Sequence, residues 1–385
     1  MRKFQVLIKF VLILLVVGCQ TTDRFVNTSQ PVLQDKVFSD FTSYEIETEK
    51  QIFSLNDEAK AFVKKSKKGL FKPQEQIEKL VHNIFSHSNF NLLYRAEANT
   101  TASQTFSERA ANCLSMSIMT YAMALEAGFG VRFQDVEIPE YWTRREGHSL
   151  LNRHINLQIL PKPHREQVRF ITKGYEVDFD AQATRKHFPK TFVSKQQVVA
   201  MYYNNKGADA LLSNEYHKAY AYFRAAIKME PELPSVLANL GFLYRNAGYH
   251  DYAENAYMHA LQIDQNNLTA WKNLAYLYRH TGRIDDATTI STRIEAKRAN
   301  NPFYHINLGD YEYEQENWQQ ALAHYRQALK LEKSYHEVFF GLGKTYFKLG
   351  NVSRSQYYLK LAKKKARTQE EENIYQSKLE LLSRL

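Results

Sequence analysis

Cys113, His154 and Asp178 are the residues whose types and order allow covalent chemistry. Asn112 precedes Cys113 at the start of an apolar run with helical period, which predicts a helix capped by Asn112 with the thiol in its first turn. Backbone N–H groups and the helix dipole there favour a thiolate, and the same amides can receive an oxyanion. His154 opens the alternating stretch His154-Ile155-Asn156-Leu157-Gln158-Ile159. That alternation predicts a strand with Ile155, Leu157 and Ile159 on a dry face and His154, Asn156 and Gln158 on a wet one. Asp178 follows Val177 in a second predicted strand, where it shares a face with Asp180, the fallback for its role. Thiol, imidazole and carboxylate supply a nucleophile, a general base and a group that orients the ring. The chemistry such a set would allow is acyl transfer from an amide: Cys113 would attack the carbonyl and expel the amine, and water or a second amine would release the acyl group.

Plainer roles stay open for each residue. A free cysteine in a helix is commonly a small buried hydrophobe. His154 can be a surface strand histidine, and Asp178 a hairpin residue. Cys113 with His148, His154, His164 or His187 has no zinc-like spacing, so neither a metal nor a cofactor is expected.

The elements that must position these residues read as α+β. Asn56-Asp57 starts a short helix through Val63, and Pro73 leads a helix through about Phe85. The helix capped by Asn112 carries Leu114, Ile118, Tyr121, Ala122 and Leu125 mainly on one stripe and ends at Gly128 and Gly130. A strand follows over 131–138, then a polar loop over 140–150 containing Trp142 and Arg144-Arg145, then the His154 strand. Residues 168–172 and 175–180 read as a hairpin split by Lys173-Gly174.

Asn112-Cys113-Leu114-Ser115, the strand Asn152-Arg153-His154-Ile155-Asn156 and Val177-Asp178-Phe179 resemble the bacterial transglutaminase-like superfamily, over roughly residues 73–190. The resemblance implies a papain-like core in which Cys113, His154 and Asp178 are the catalytic triad. Leu114 stands where true transglutaminases often place an aromatic, so amide hydrolysis, as in a protease or amidase, competes with acyl transfer as the implied activity. Val16-Val17-Gly18-Cys19, after a short apolar core and the cations Arg2, Lys3 and Lys9, resembles the lipobox of a bacterial lipoprotein. That resemblance implies cleavage before Cys19, lipidation of Cys19 with acyl chains such as palmitate, and a cell-envelope address. Gln20 behind the cysteine points to the outer membrane. Cys113 is then left without a disulfide partner in a compartment that favours disulfides.

From about residue 200 the chain repeats with a period of 34, seen in Leu240-Gly241, Leu274-Ala275, Leu308-Gly309 and Leu342-Gly343. Ala219, Ala253, Ala287 and Ala321, with Ser355, hold one small slot in register. Phe223, Tyr257, Tyr325 and Leu359 hold a large one. The pattern resembles the tetratricopeptide repeat, a helix pair with a small residue at the crossing and a large one filling the gap. The third of five units is degenerate around Ser291 and Ile294. Asn239, Asn273 and Asn307 recur one residue before the Leu-Gly/Ala step, where they either hold an extended peptide or serve the stack itself.

The 385 residues thus divide into a signal peptide (1–18), a tether (19–55), an α+β transglutaminase-like, papain-like domain (56–198), an all-α tetratricopeptide-repeat solenoid (199–369) and a capping helix (370–385). The formal charge of +10 reads as a solvated basic surface, and export argues against nucleic acid. The expected partners are a protein or peptide on the solenoid and the membrane through the lipid. The alternative to an enzyme is a non-catalytic envelope scaffold whose cysteine domain only packs.

Overall fold

The structure, a computed structural model, describes residues 31–86, 90–136, 142–145, 148–151, 154–161, 174–177, 189–366 and 369–383. Cys19 and the signal segment lie outside the described residues, as do Asp178, Asp180, His164 and His187.

The first part surrounds one buried helix. Helices α1 (Glu49–Phe53), α2 (Asp57–Ser66) and α3 (Pro73–Phe85) lead into the two-residue strand β1 (Leu93–Tyr94), α4 (Ala102–Glu108) and β2 (Ala110–Ala111), which pairs with β1. Then comes α5 (Cys113–Glu126). Asn56 caps α2 and Pro73 stands at the first turn of α3, as their sequences require. Gly128, at φ +91°, takes the left-handed turn that ends α5. A single apolar stripe is too narrow a description of α5. Leu125 is exposed, while Ser115, Ser117 and Thr120 are wholly buried with the apolar residues, because helices and sheet cover most of its circumference.

The sheet is antiparallel, in the order β7 (Tyr175–Val177), β6 (His154–Leu160), β3 (Gly130–Val136), β8 (Lys190–Val193). Strand β8 has no strong apolar alternation and is recruited by the free edge of β3. The expected loop over 140–150 instead contains β4 (Trp142–Arg145) paired with β5 (His148–Leu151). Trp142 and Thr143 are good strand formers, and the stretch is long enough to fold back on itself.

The expected tether is not free over its described part. Residues 32–47 run along the repeats as a strap, with a 3-10 turn at Ser39–Ser43, and α1, which is closed by a Thr48–Gln51 capping box, packs on α4 and α5. Phe38 and Ile52 are buried, which draws this polar-looking segment onto the protein.

The repeats are helix pairs: α6 (Lys195–Leu212) with α7 (Tyr216–Met229), α8 (Pro234–Asn246) with α9 (His250–Ile263), α10 (Leu268–His280) with α11 (Ile284–Ala299). They continue as α12 (Pro302–Glu314) with α13 (Trp318–Leu331) and α14 (His336–Lys348) with α15 (Val352–Lys365), followed by α16 (Gln369–Leu382). In the first, second, fourth and fifth units the glycine at or in register with the Leu-Gly step faces the large slot. A methyl on Gly241 would lie 2.5 Å from the Tyr257 ring, and one on Gly309 2.7 Å from the Tyr325 ring. In the third unit these two positions are Ala275 and Ser291. The unit called degenerate is therefore a paired exchange, in which a methyl enters on one helix and a ring leaves the other. One buried core runs from Phe38 through the cysteine helix to Ile294, and a separate one begins at Ile306.

Candidate functional site

The amino end of α5 is pinned from several sides. Asn112 Oδ1 accepts the Ser115 amide at 2.9 Å, and the helical ladder begins with the Met116 amide donating to the Asn112 carbonyl. Ser115 Oγ donates to the Ala98 carbonyl at 3.0 Å and accepts the Thr100 amide at 2.9 Å. The Asn112 side-chain amide donates to Asn99 Oδ1, and Asn99 Nδ2 donates to Asp209 Oδ2 of α6 at 2.6 Å. Cys113 is half-buried as the first residue of this helix, with Asn112 as its N-cap, as the spacing predicts. The amides of Cys113 and Leu114 take part in neither the cap nor the first ladder bond, so they point out of the helix end beside the thiol.

The sheet under α5 sets where the thiol lies. The Tyr121 ring stacks on Phe133 of β3 with centroids 4.4 Å apart, and Ser117 Oγ donates to the Ile155 carbonyl of β6 at 3.1 Å. Each four-residue step toward the start of α5 covers about 6 Å, close to the rise of two strand residues. Cys113 is one such step beyond Ser117, at the end of the sheet where β6 begins with His154, paired with Val136. Backbone placement thus brings Cys113 and the start of the His154 strand to one end of the sheet. Asp178 and its fallback Asp180 lie outside the described residues; β6–β7 pairing is described up to Leu157–Val177.

Two features of this end were not legible in the alternation. Asn156, assigned to a wet face, is fully buried together with Gln134, its register partner. The dry face does hold Ile155, Leu157 and Ile159, all buried. Asp135 is 3% exposed and lies opposite Ile155, on the side of β3 that carries Phe133 and faces α5. It is a buried carboxylate at the cysteine end of the sheet, signalled only by an acid in phase with Phe133. Among the described residues, no group of three or more His, Cys, Asp or Glu residues could hold a metal ion, and no helix is long and apolar enough to cross a membrane.

On the repeats, Asn239 donates to Asn204 Oδ1 at 2.9 Å, so its amide serves the stack. The exposed feature nearby is a ring–guanidinium–ring layer. Arg245 lies 4.4 Å from the centroids of both Phe242 and Tyr276, joining α8 to α10, and Tyr276 is 54% exposed.

Family models of the tetratricopeptide repeat match residues 234–267 and 256–289, and a model described as TPR repeat matches 300–350. Residues 234–350 are tetratricopeptide repeats. Repeats of this kind generally mediate protein or peptide binding. Superkiller protein 3 of Schizosaccharomyces pombe is 22% identical over 144 residues, 36% of this chain and 10% of that protein. The chain therefore spans about a tenth of the curated relative it matches. Among solved structures, pilF of Pseudomonas aeruginosa is 16% identical, covering 46% of this chain and 80% of that one, with a TM-score of 0.27. YrrB, described as a TPR protein with an unusual peptide-binding site, is 16% identical, covering 45% and 89%, with a TM-score of 0.25. MamA from Desulfovibrio magneticus is 16% identical, covering 44% and 96%, also with a TM-score of 0.25.

Proposed function

We propose that this chain is an interaction scaffold whose repeats hold a protein or peptide partner. The observation that carries the reading is the Phe242–Arg245–Tyr276 layer, in which a partly buried guanidinium lies between two rings, the outer one, Tyr276, exposed, across two successive units. It suits a peptide carrying a carboxylate beside an apolar side chain. A photo-cross-linking residue at position 276 should give a discrete protein adduct in cells, and Arg245→Glu should abolish it. The same adducts with and without Arg245→Glu would overturn this reading.

A second reading has its own support: a transglutaminase-like acyl transfer or amide hydrolysis at Cys113. The capped helix end and the shared end of the sheet favour it. The thiolate would attack an amide carbonyl, and His154 would give the proton to the leaving amine. Asp178 would orient the ring, and water or a second amine would cleave the thioester. Alkylation of the native chain by a thiol-selective electrophile across pH tests it. Labelling below the ordinary thiol range, shifted upward by His154→Ala, supports the reading. Slow labelling, indifferent to His154→Ala and Asp178→Asn, removes it. The envelope address rests on the amino-terminal sequence alone, from the cations Arg2, Lys3 and Lys9 to Cys19 and Gln20. Cys19→Ser should block fatty-acid labelling, and equal labelling of the variant would sink lipidation.

A further inference from the structure

The repeats show how the same three positions are filled in successive intervals. Between the second and third units these positions are Glu254, Tyr278 and Arg283. The Tyr278 hydroxyl donates to Glu254 Oε1 at 2.6 Å, Arg283 pairs with Glu254 at 2.9 Å, and the guanidinium lies 3.7 Å from the Tyr278 ring centroid. That interval closes on itself. One period of 34 earlier the positions are Tyr220, Tyr244 and Tyr249, and no acid stands among them.

The strap fills that gap. Phe38 is 3% exposed and sits among the three rings, stacked on Tyr220 at 4.9 Å, with Tyr244 at 6.0 Å and Tyr249 at 6.1 Å. His217 adds an edge at 5.5 Å. The missing carboxylate comes from Asp35, which accepts from the Tyr220 hydroxyl at 2.7 Å and from Arg224 through two bonds of 2.7 and 2.9 Å. Tyr244 donates to the Val32 carbonyl at 2.8 Å, reading backbone rather than side chain. Phe41 closes the contact, with the Arg224 guanidinium 4.4 Å from its ring centroid. A forked cation, an aromatic box and a backbone donor are the components of a peptide-recognition site.

We propose that Tyr220, Arg224, Tyr244 and Tyr249 form a peptide-recognition site for an acid followed three residues later by phenylalanine, and that its resident ligand is the chain's own Asp35–Phe38 segment. The site is separate from the Phe242–Arg245–Tyr276 layer and does not depend on it. It differs from an ordinary interdomain contact because the neighbouring interval builds the same three positions to be self-sufficient, whereas this one is complete only with the strap in place. A partner bearing the same motif would compete with a tethered ligand at high effective concentration, so the site is closed until the strap leaves.

The test uses the full chain carrying Asp35→Ala and Phe38→Ala, with a fluorescent peptide of residues 31–42 as probe. The peptide should bind the double variant saturably and leave the wild type alone, and adding Arg224→Glu should weaken it by about tenfold or more. Equal binding to wild type and variant, no binding to a folded variant, or binding indifferent to Arg224→Glu each overturns the proposal. Should the double variant lose its cooperative transition, Phe38→Ala alone, which keeps the Asp35–Arg224 pair, takes its place. If that variant also fails to fold, the strap is a structural element and the proposal falls.

Discussion

Asp209, in the first helix of the repeat stack, accepts a hydrogen bond of 2.6 Å from Asn99, whose own oxygen holds the side chain of Asn112, the cap of the cysteine helix. The repeats therefore reach the turn that carries Cys113 through two side chains. Asp209→Ala leaves the Asn99 amide without that acceptor, at a cost of about 1–3 kcal/mol. Chemical denaturation should show the loss, and the alkylation rate of native Cys113 should change with it. A variant with unaltered stability and unaltered thiol kinetics would mean that the relay carries no energy.

The exchange in the third unit gives a double-mutant cycle. Ser291→Tyr alone should destabilise the chain by about 1–3 kcal/mol, because the added ring meets the Ala275 methyl. Ala275→Gly removes the methyl that the Gly241–Tyr257 geometry excludes, so it should recover part of that loss in the double variant. Additive effects in the cycle, read from urea midpoints, would show that the two positions do not face each other as their counterparts do.

The break in the core after Ile294 sets the order of unfolding. Hydrogen exchange should protect α5 and the first three units together and release α12 to α16 at a lower free energy. Ala321→Glu buries an unpaired charge in the second core and should abolish its transition while native Cys113 behaviour persists. Ala253→Glu lies in the first core and should bring down the cysteine helix as well. Independent survival of α5 in Ala253→Glu would contradict the shared core.

The strap should hold over a wide pH range with defined edges. The Arg224 hydrogen bonds hold Asp35 below its usual 3.8, against the opposing effect of burial. A lowered carboxyl contributes stability that is complete above the unfolded value and lost as pH falls through the folded one. On the alkaline side, burial and then Glu47 push the Tyr203 phenol up to about 12, and its hydroxyl donates to the Glu47 carbonyl at 2.6 Å. A raised phenol contributes fully below its usual 10 and progressively less as pH rises through about 12. The protection of residues 32–47 against hydrogen exchange, taken relative to the intrinsic rate at each pH, should thus stay high from about pH 4 to about pH 10 and fall outside that window. Release near neutrality would show that other groups control the strap.

The amino-acid sequence alone determined the elements whose signals are local. Asn112 caps α5 with Cys113 next to it because one side-chain oxygen and one amide decide the matter within four residues. Pro73 begins α3 for an equally local reason, and the 34-residue period is legible because every unit solves the same packing problem. Only the tertiary structure decided what depends on distant partners. Asp35 and Phe38 read as part of a polar tether until an aromatic box far along the chain receives them. Asn156 reads as solvated until strand pairing sets it beside Gln134 in the interior. Ser291 reads as decay until Ala275 stands as its counterpart on the facing helix. For Asp35 and Asn156 the residue's own type favours water, and for Phe38 the polar segment around it does; partners remote in sequence changed the environment of all three.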